Sequence, residues 1–180
     1  MGFSGTNRHW FIIGAEFPVG QCLADLASEL ALPYSSRRLD SREPLSIPLG
    51  TASAPLAILS ASGEDANAIE HLEAWITRLI EQDIPIVLLS SAKVFAYNEL
   101  GSLENDAMTG DERLISIENQ VRQQLRHLIV RVNQPFSLLT GDYAVQLLAK
   151  ARSQGSLVLD NLIRIAPTPA DDIAQVIYAL

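Results

Sequence analysis

A single cysteine, Cys22, rules out a disulfide within the chain, and its place on the apolar side of a predicted helix makes it a buried structural thiol rather than a reactive one. Basic residues are few. Thirteen lysines and arginines face 21 acids, a net charge of −8, and they are scattered, so the footprint of a nucleic-acid binder is missing. Long apolar runs are missing as well. The opening MGFSGTNRHWFIIG has only a short apolar run before Gly14, too short for a signal-peptide core or a membrane span. The expectation is a cytoplasmic protein with neither a nucleic-acid nor a membrane partner. His9, His71 and His127 fall on different elements with no carboxylate or cysteine at ligand spacing, so no metal is expected and they read as surface or strand-edge residues. No Gly-x-Ser-x-Gly elbow occurs, which argues against a hydrolase nucleophile.

What the chain does have is 48% apolar content over 180 residues, which suits one globular domain, residues 1–180, with a full core. Short apolar runs alternate with longer stretches of helical period, the pattern of a parallel sheet covered on both faces. The predicted fold is therefore α/β and doubly wound, in three α/β/α layers. Strands are predicted near 10–14, 31–35, 55–61, 84–90 and 127–133 in the order 3-2-1-4-5, with a sixth element from 156–165 beside the fifth. The first helix carries Cys22, Leu23, Leu26, Ala27 and Leu30 on one stripe. A second, from about Asp65 as its cap to Gln82, turns Ile69, Leu72, Ile76, Leu79 and Ile80 inward. Leu114, Ile117, Val121 and Leu125 mark a third, HLIVRVN reads as a buried strand, a helix covers Leu138 to Ala149, and a last one begins near Pro169. Trp10 and Trp75 read as core packing. The segment after Ser91, AKVFAYNELGSLENDAMTGDE, is polar and aperiodic, hence a long loop of the kind that often carries function.

Four stretches in order resemble the short-chain dehydrogenase/reductase superfamily, and within it the dTDP-4-dehydrorhamnose reductases. FIIGAEFPVGQCLADLA is similar to a turn of the type GATGFLG and its helix. VLLSSAKVF looks like ISTDYVF. HLIVRVNQPF looks like ILRTSWVF, with Arg131 kept, and DNLIRIAPTPADDIAQVI is similar to the family's D..G.PT...DLA..I. The resemblance implies an NAD(P)-binding Rossmann-like fold and hydride transfer from a nicotinamide cofactor to a nucleotide-linked keto-sugar. It also implies that Gly14 and Gly20 match the first and last glycines of the cofactor turn, and that Ser91 stands where the carbonyl-binding hydroxyl belongs. Arg37 and Arg38, after the second strand, sit where an NADP binder presents guanidinium groups to the 2′-phosphate.

The family's Tyr-x-x-x-Lys pair does its proton chemistry, because the ammonium lowers the phenol's pKa. No tyrosine here is followed by a lysine four residues on: Tyr34 leads to Arg38, Tyr97 to Gly101 and Tyr143 to Leu147, and the only lysines are Lys93 and Lys150. Alignment of the third helix puts Gly110 at the tyrosine position and Leu114 at the lysine position, and Glu118 matches a family glutamate. Lys93 and Tyr97 form a reversed Lys-x-x-x-Tyr and, with Ser91, are the alternative catalytic candidates. Glu16 and Phe17 replace a small residue and the middle glycine of the cofactor turn, which predicts weak dinucleotide binding. The resemblance also implies that the lobe covering the sugar nucleotide is shortened. The expected function is a catalytically degenerate relative that binds a nucleotide, a sugar nucleotide or a protein. The alternatives are an active NADP-dependent dTDP-sugar reductase or epimerase with atypical residues, and an interaction module acting as a homodimer or accessory subunit.

Overall fold

A computed structural model describes residues 8–43, 54–61, 66–96, 101–137, 143–158 and 167–180. Five strands, β1 (Arg8–Ile13), β2 (Tyr34–Arg37), β3 (Ala54–Leu59), β4 (Ile86–Ser91) and β5 (His127–Val132), form one sheet in the order β2-β1-β3-β4-β5. Every neighbouring pair is parallel. Helices α1 (Pro18–Glu29), α2 (Ala66–Glu81), α3 (Glu112–Val121), α4 (Tyr143–Gln154) and α5 (Ala170–Ala179) follow in chain order, and two three-residue strands, β6 (Gln134–Phe136) and β7 (Pro167–Pro169), pair separately.

The strands are apolar at consecutive positions because both faces of the sheet are covered. Phe11, Ile13, Ala57, Leu59, Ile86 and Leu88 meet α2 and α3 on one side. Trp10, Ile12, Leu56, Ile58 and Val87 meet α1 and α5 on the other. Each such side chain taken out of water contributes about 1.5–3 kcal/mol, so the two-sided pattern holds the three layers together. In α2, Ile69, Leu72, Ile76 and Leu79 are buried as their spacing predicts, with Ile80 half-buried at the edge of the stripe. Trp10 and Trp75 are core residues.

The strand order corrects the expected 3-2-1-4-5. β3 lies between β1 and β4 instead of outside β2, and the strands themselves carry the reason. APLAIL of β3 is buried at four consecutive positions, which only an interior strand provides, whereas YSSR of β2 is polar and partly exposed, as an edge permits. Other departures follow from the same packing. HLIVRV of β5 is half-buried, since among the described residues it pairs only with β4. Leu125 falls beyond α3 and is 95% exposed, and Leu30 caps α1 from outside at 43%. His9 is buried inside β1, bonded through Nε2 to Ser35 Oγ at 2.9 Å, with burial lowering its pKa. The thiol of Cys22 is half-buried, pushed up to about 12 by burial and by its bond to Asp171. The Asp65 cap, residues 138–142 and most of the sixth element, 159–165, lie outside the described residues. The helix expected over 138–149 runs on to Gln154, and among the described residues it begins at Tyr143.

Both long α/β helices end on the same backbone motif without glycine. At the end of α1, Ala31 N donates to Ser28 O and Leu32 N to Ala27 O, with Ala31 at φ 52°. At the end of α2, Asp83 N and Ile84 N donate to Ile80 O and Leu79 O, with Asp83 at φ 50°. This left-handed position favours glycine. Ala31→Gly is therefore expected to stabilise the fold by about 0.5–1 kcal/mol, a rise in Tm of about 2 °C. Thermal unfolding checks it, and a lowered Tm would show that the entropy of the unfolded chain outweighs relief at Ala31.

Candidate functional site

In an open parallel sheet, ligands gather outside the carboxyl ends of the strands where the order changes direction. Here β1 sends the chain to β2 on one side and has β3 on the other, so that crevice lies between the turns after β1 and β3. Backbone approaches backbone closely there. Gly14, at φ 86°, comes so near Ser60 that an added Cβ would stand 1.8 Å from the Ser60 carbonyl oxygen. Gly20 packs against Gly14, where a Cβ would stand 2.2 Å from the Gly14 oxygen. Both glycines serve the strand–turn–helix contact, which tolerates no side chain.

The residues between them fill the remaining space. Phe17 starts α1, donates from its N–H to Gly14 O at 3.1 Å, and lays its ring against the core cluster under α2 and α3. Pro18 follows in the first turn, so that turn has one N–H fewer to offer an anion. Glu16 reaches across with Oε1 to accept from Leu39 N at 2.9 Å, and Trp75 Nε1 donates to Leu39 O at 2.8 Å. Leu39, only 3% exposed, is thus bolted down at both its backbone polar groups. Oε2 of Glu16 is buried without a hydrogen-bond partner.

Beside this plug an open cleft of about 300 Å³ is lined by Ala15, Glu16, Ser36, Arg37 and Arg38. Its two arginines already have partners. Arg38 Nε lies 3.1 Å from Asp40 Oδ1, a bond that raises the arginine's pKa and lowers the acid's. Arg37 Nε lies 3.5 Å from Glu43 Oε2, and its Nη1 donates to Ser36 O. These two guanidinium groups therefore face the carboxylates of Asp40, Glu43 and Glu16.

At the end of β4 the two serines point to opposite faces, as strand alternation requires. Ser91 Oγ accepts from Lys93 N at 3.2 Å and caps the short 3-10 turn Ala92–Val94. Ser90 Oγ donates to Glu118 Oε1 at 2.7 Å. Tyr97 lies outside the described residues, so the reversed pair it would make with Lys93 does too. Gly110 sits directly under the segment that follows Ser91. Its N–H donates to Val94 O at 2.9 Å, and a Cβ on it would stand 2.1 Å from Lys93 O and 2.6 Å from Phe95 O. Leu114, one helical turn on, is 5% exposed in the core.

Glu118 is fully buried and forms the densest polar network of the described residues. Arg131 grips it with Nε at 2.9 Å and Nη2 at 2.7 Å, and Arg122 adds Nη2 at 3.0 Å. Burial alone would raise this carboxyl's pKa, but the bonds from Arg131 and Ser90 and the arginine charges hold it below the usual range. Both residues stand out in the sequence, yet the pairing does not. The usable signal is that Glu118 shares the inward stripe Leu114, Ile117, Val121, where a carboxylate demands a cation. Among the described residues, no three His, Cys, Asp or Glu side chains are placed to hold a metal, and no helix is long and apolar enough to cross a membrane.

No family description matches the sequence, and no curated protein does. Solved structures do. A dTDP-4-dehydrorhamnose reductase from Clostridium acetobutylicum superposes with a TM-score of 0.73 at 14% identity, covering 95% of this chain and 69% of that one. A hypothetical dTDP-4-dehydrorhamnose reductase from Sulfolobus tokodaii gives 0.68 at 18% identity, covering 96% and 71%. The chain has their Rossmann-like fold. The enzyme WbmH of Bordetella bronchiseptica, solved in complex with NAD+, shares it with a TM-score of 0.69 at 11% identity, covering 96% of this chain and 71% of its own. Identities this low establish the fold and leave activity to the residues.

The contact at Gly110 sets a testable cost. Gly110→Ala drives a methyl group into the Lys93 and Phe95 carbonyls and is expected to destabilise the protein by about 2 kcal/mol, as overpacking against unyielding neighbours does. Urea denaturation measures it. An unchanged midpoint would mean that the segment over Gly110 yields freely.

Proposed function

We propose that the protein is a catalytically degenerate relative of the sugar-nucleotide reductases, a nucleotide- or sugar-nucleotide-binding or interaction protein without ordinary reductase activity. The observation that carries this reading is the environment of Gly110. At the position of the family's proton-donating tyrosine there is no side chain, and the carbonyl oxygens of Lys93 and Phe95 occupy the space where one would begin. The lysine position is Leu114, whose side chain belongs to the core. General acid–base catalysis at such a position is worth about 10²–10⁴-fold in rate, and nothing at Gly110 or Leu114 can supply it.

The cofactor turn supports the same reading. Phe17, folded onto the core, stands where the middle glycine would let a pyrophosphate approach the backbone, and Glu16 brings a carboxylate to a place where phosphate charge would lie. These residues do not fit a dinucleotide. The open cleft beside Glu16, Arg37 and Arg38 is the place left for a smaller ligand. Ser91, Lys93 and Tyr97 are the residues of the competing reading, an active NADP-dependent reductase or epimerase. The Ser91 hydroxyl oxygen is engaged by Lys93 N, which speaks for a capping role.

Purified protein incubated with NADPH and a panel of dTDP- and UDP-keto-sugars is expected to show no enzyme-dependent loss of nicotinamide absorbance. Turnover near 1 per second, the lower range typical of enzymes, would refute the proposal. In that event Tyr97→Phe and Lys93→Ala identify the residues responsible.

A further inference from the structure

Two guanidinium groups share one buried carboxylate at the carboxyl end of β5. The side chains of Arg131 and Arg122 are 15% and 37% exposed and that of Glu118 is fully buried, so the cluster holds a surplus of one positive charge in a chain whose net charge is −8. After gripping Glu118, both arginines have donors left over. Arg131 Nη1 donates to Glu104 O at 3.2 Å, and Arg122 Nη1 to Asn119 Oδ1 at 3.2 Å. The remaining contacts converge on one atom. Met108 Sδ lies 3.3 Å from Arg131 Nη2 and 4.0 Å from Arg122 Nη1.

A thioether is a weak, neutral acceptor, whereas guanidinium groups prefer the oxygens of carboxylates and phosphates, with charge-assisted bonds about twice as strong as neutral ones. The sulfur therefore sits where an anion would be bound better. Its carrier is a surface segment. Residues 101–107 and Thr109 are exposed, and Met108 is half-buried, packed against the edge of the core cluster under α2 and α3. The segment is held at Gly110 and Asp111, whose N–H groups donate to Val94 O and Lys93 O, and at Glu104, whose carbonyl accepts from Arg131 Nη1. The Glu104 carboxylate also acts on Arg131, but from an exposed residue where solvent screens it.

We propose that Arg131 and Arg122 form an oxyanion site, that Met108 occupies it in the closed chain, and that a phosphate group displaces the sulfur and bridges the two guanidinium groups. The phenyl ring of Phe95, 4.9 Å from the Arg131 guanidinium carbon, backs the site on its inner side. The proposal is independent of the fate of the cofactor turn, because none of its residues touches that turn.

The test is thermal unfolding of the full chain in sodium phosphate against sodium chloride at matched ionic strength and pH 7. Phosphate is expected to raise Tm over chloride in the wild type and to raise it further in Met108→Ala, where the sulfur no longer competes. Arg122→Gln, which leaves the Arg131–Glu118 pair in place, is expected to weaken phosphate binding about tenfold. Its remaining shift sets an upper bound on the general salting effect of phosphate. Met108→Glu supplies the anion from within, so it is expected to raise Tm at low salt, to lose that gain as chloride is added, and to show no phosphate shift beyond that of Arg122→Gln. A phosphate shift in Met108→Ala no larger than that in Arg122→Gln would overturn the proposal, and so would a lowered Tm in Met108→Glu.

Discussion

Close approach of backbone to backbone at the carboxyl end of the sheet is the constraint on which the rest of this structure depends. Gly14 meets the Ser60 carbonyl, Gly20 meets Gly14, and Gly110 meets Lys93 and Phe95, each at a distance that no Cβ survives. These contacts set where α1 starts, how tightly it lies on β1, and how the segment after β4 crosses the sheet. They also decide what the carboxyl end can accommodate. In a nucleotide-binding Rossmann fold the glycines leave room for a ligand. Here Phe17 packs onto the core cluster beside Gly14, Glu16 bonds to Leu39, and the Lys93–Phe95 segment crosses over Gly110.

Electrostatics follow the same division of the molecule. At the β2 end, Arg37 and Arg38 face the carboxylates of Glu43, Asp40 and Glu16. At the β5 end, Glu118 is outnumbered by Arg122 and Arg131, and the balance is positive. Exposed pairs such as Arg38–Asp40 contribute little to stability. The Glu118 network is different, because a buried carboxylate without its arginine would be strongly destabilising. Glu118 therefore ties α3 to β4 and β5.

Apolar spacing in the sequence locates β1, β3, β4 and β5 and turns the right face of α2 inward, since burial on two faces leaves runs such as IVLL that no edge or loop would carry; the polar β2 begins at Tyr34, three residues into the expected 31–35. The 3-2-1-4-5 order common in Rossmann folds does not hold here, and the polarity of YSSR and the uniform apolarity of PLAIL mark edge and interior. At Leu125 spacing misleads for a different reason: helical period continues past Val121, but the helix does not. At the site, the loss of the Tyr-x-x-x-Lys pair and the intrusion of Glu16 and Phe17 were visible as residue types. That Gly110 is sterically required, that Glu16 bolts Leu39 in place, and that Met108 lies between two arginines depends on contacts between distant segments, which no local pattern encodes.

The central claim, that the carboxyl end of β1 is filled by the protein itself, is tested most directly by fluorescence titration of the protein with NADPH and NADH. The account predicts a Kd on the order of 1 mM or weaker for both, about −4 kcal/mol. It also predicts tighter binding in Glu16→Thr combined with Phe17→Gly, where the carboxylate and the ring are removed together. Submicromolar saturation of the unmodified protein by either nucleotide would contradict it.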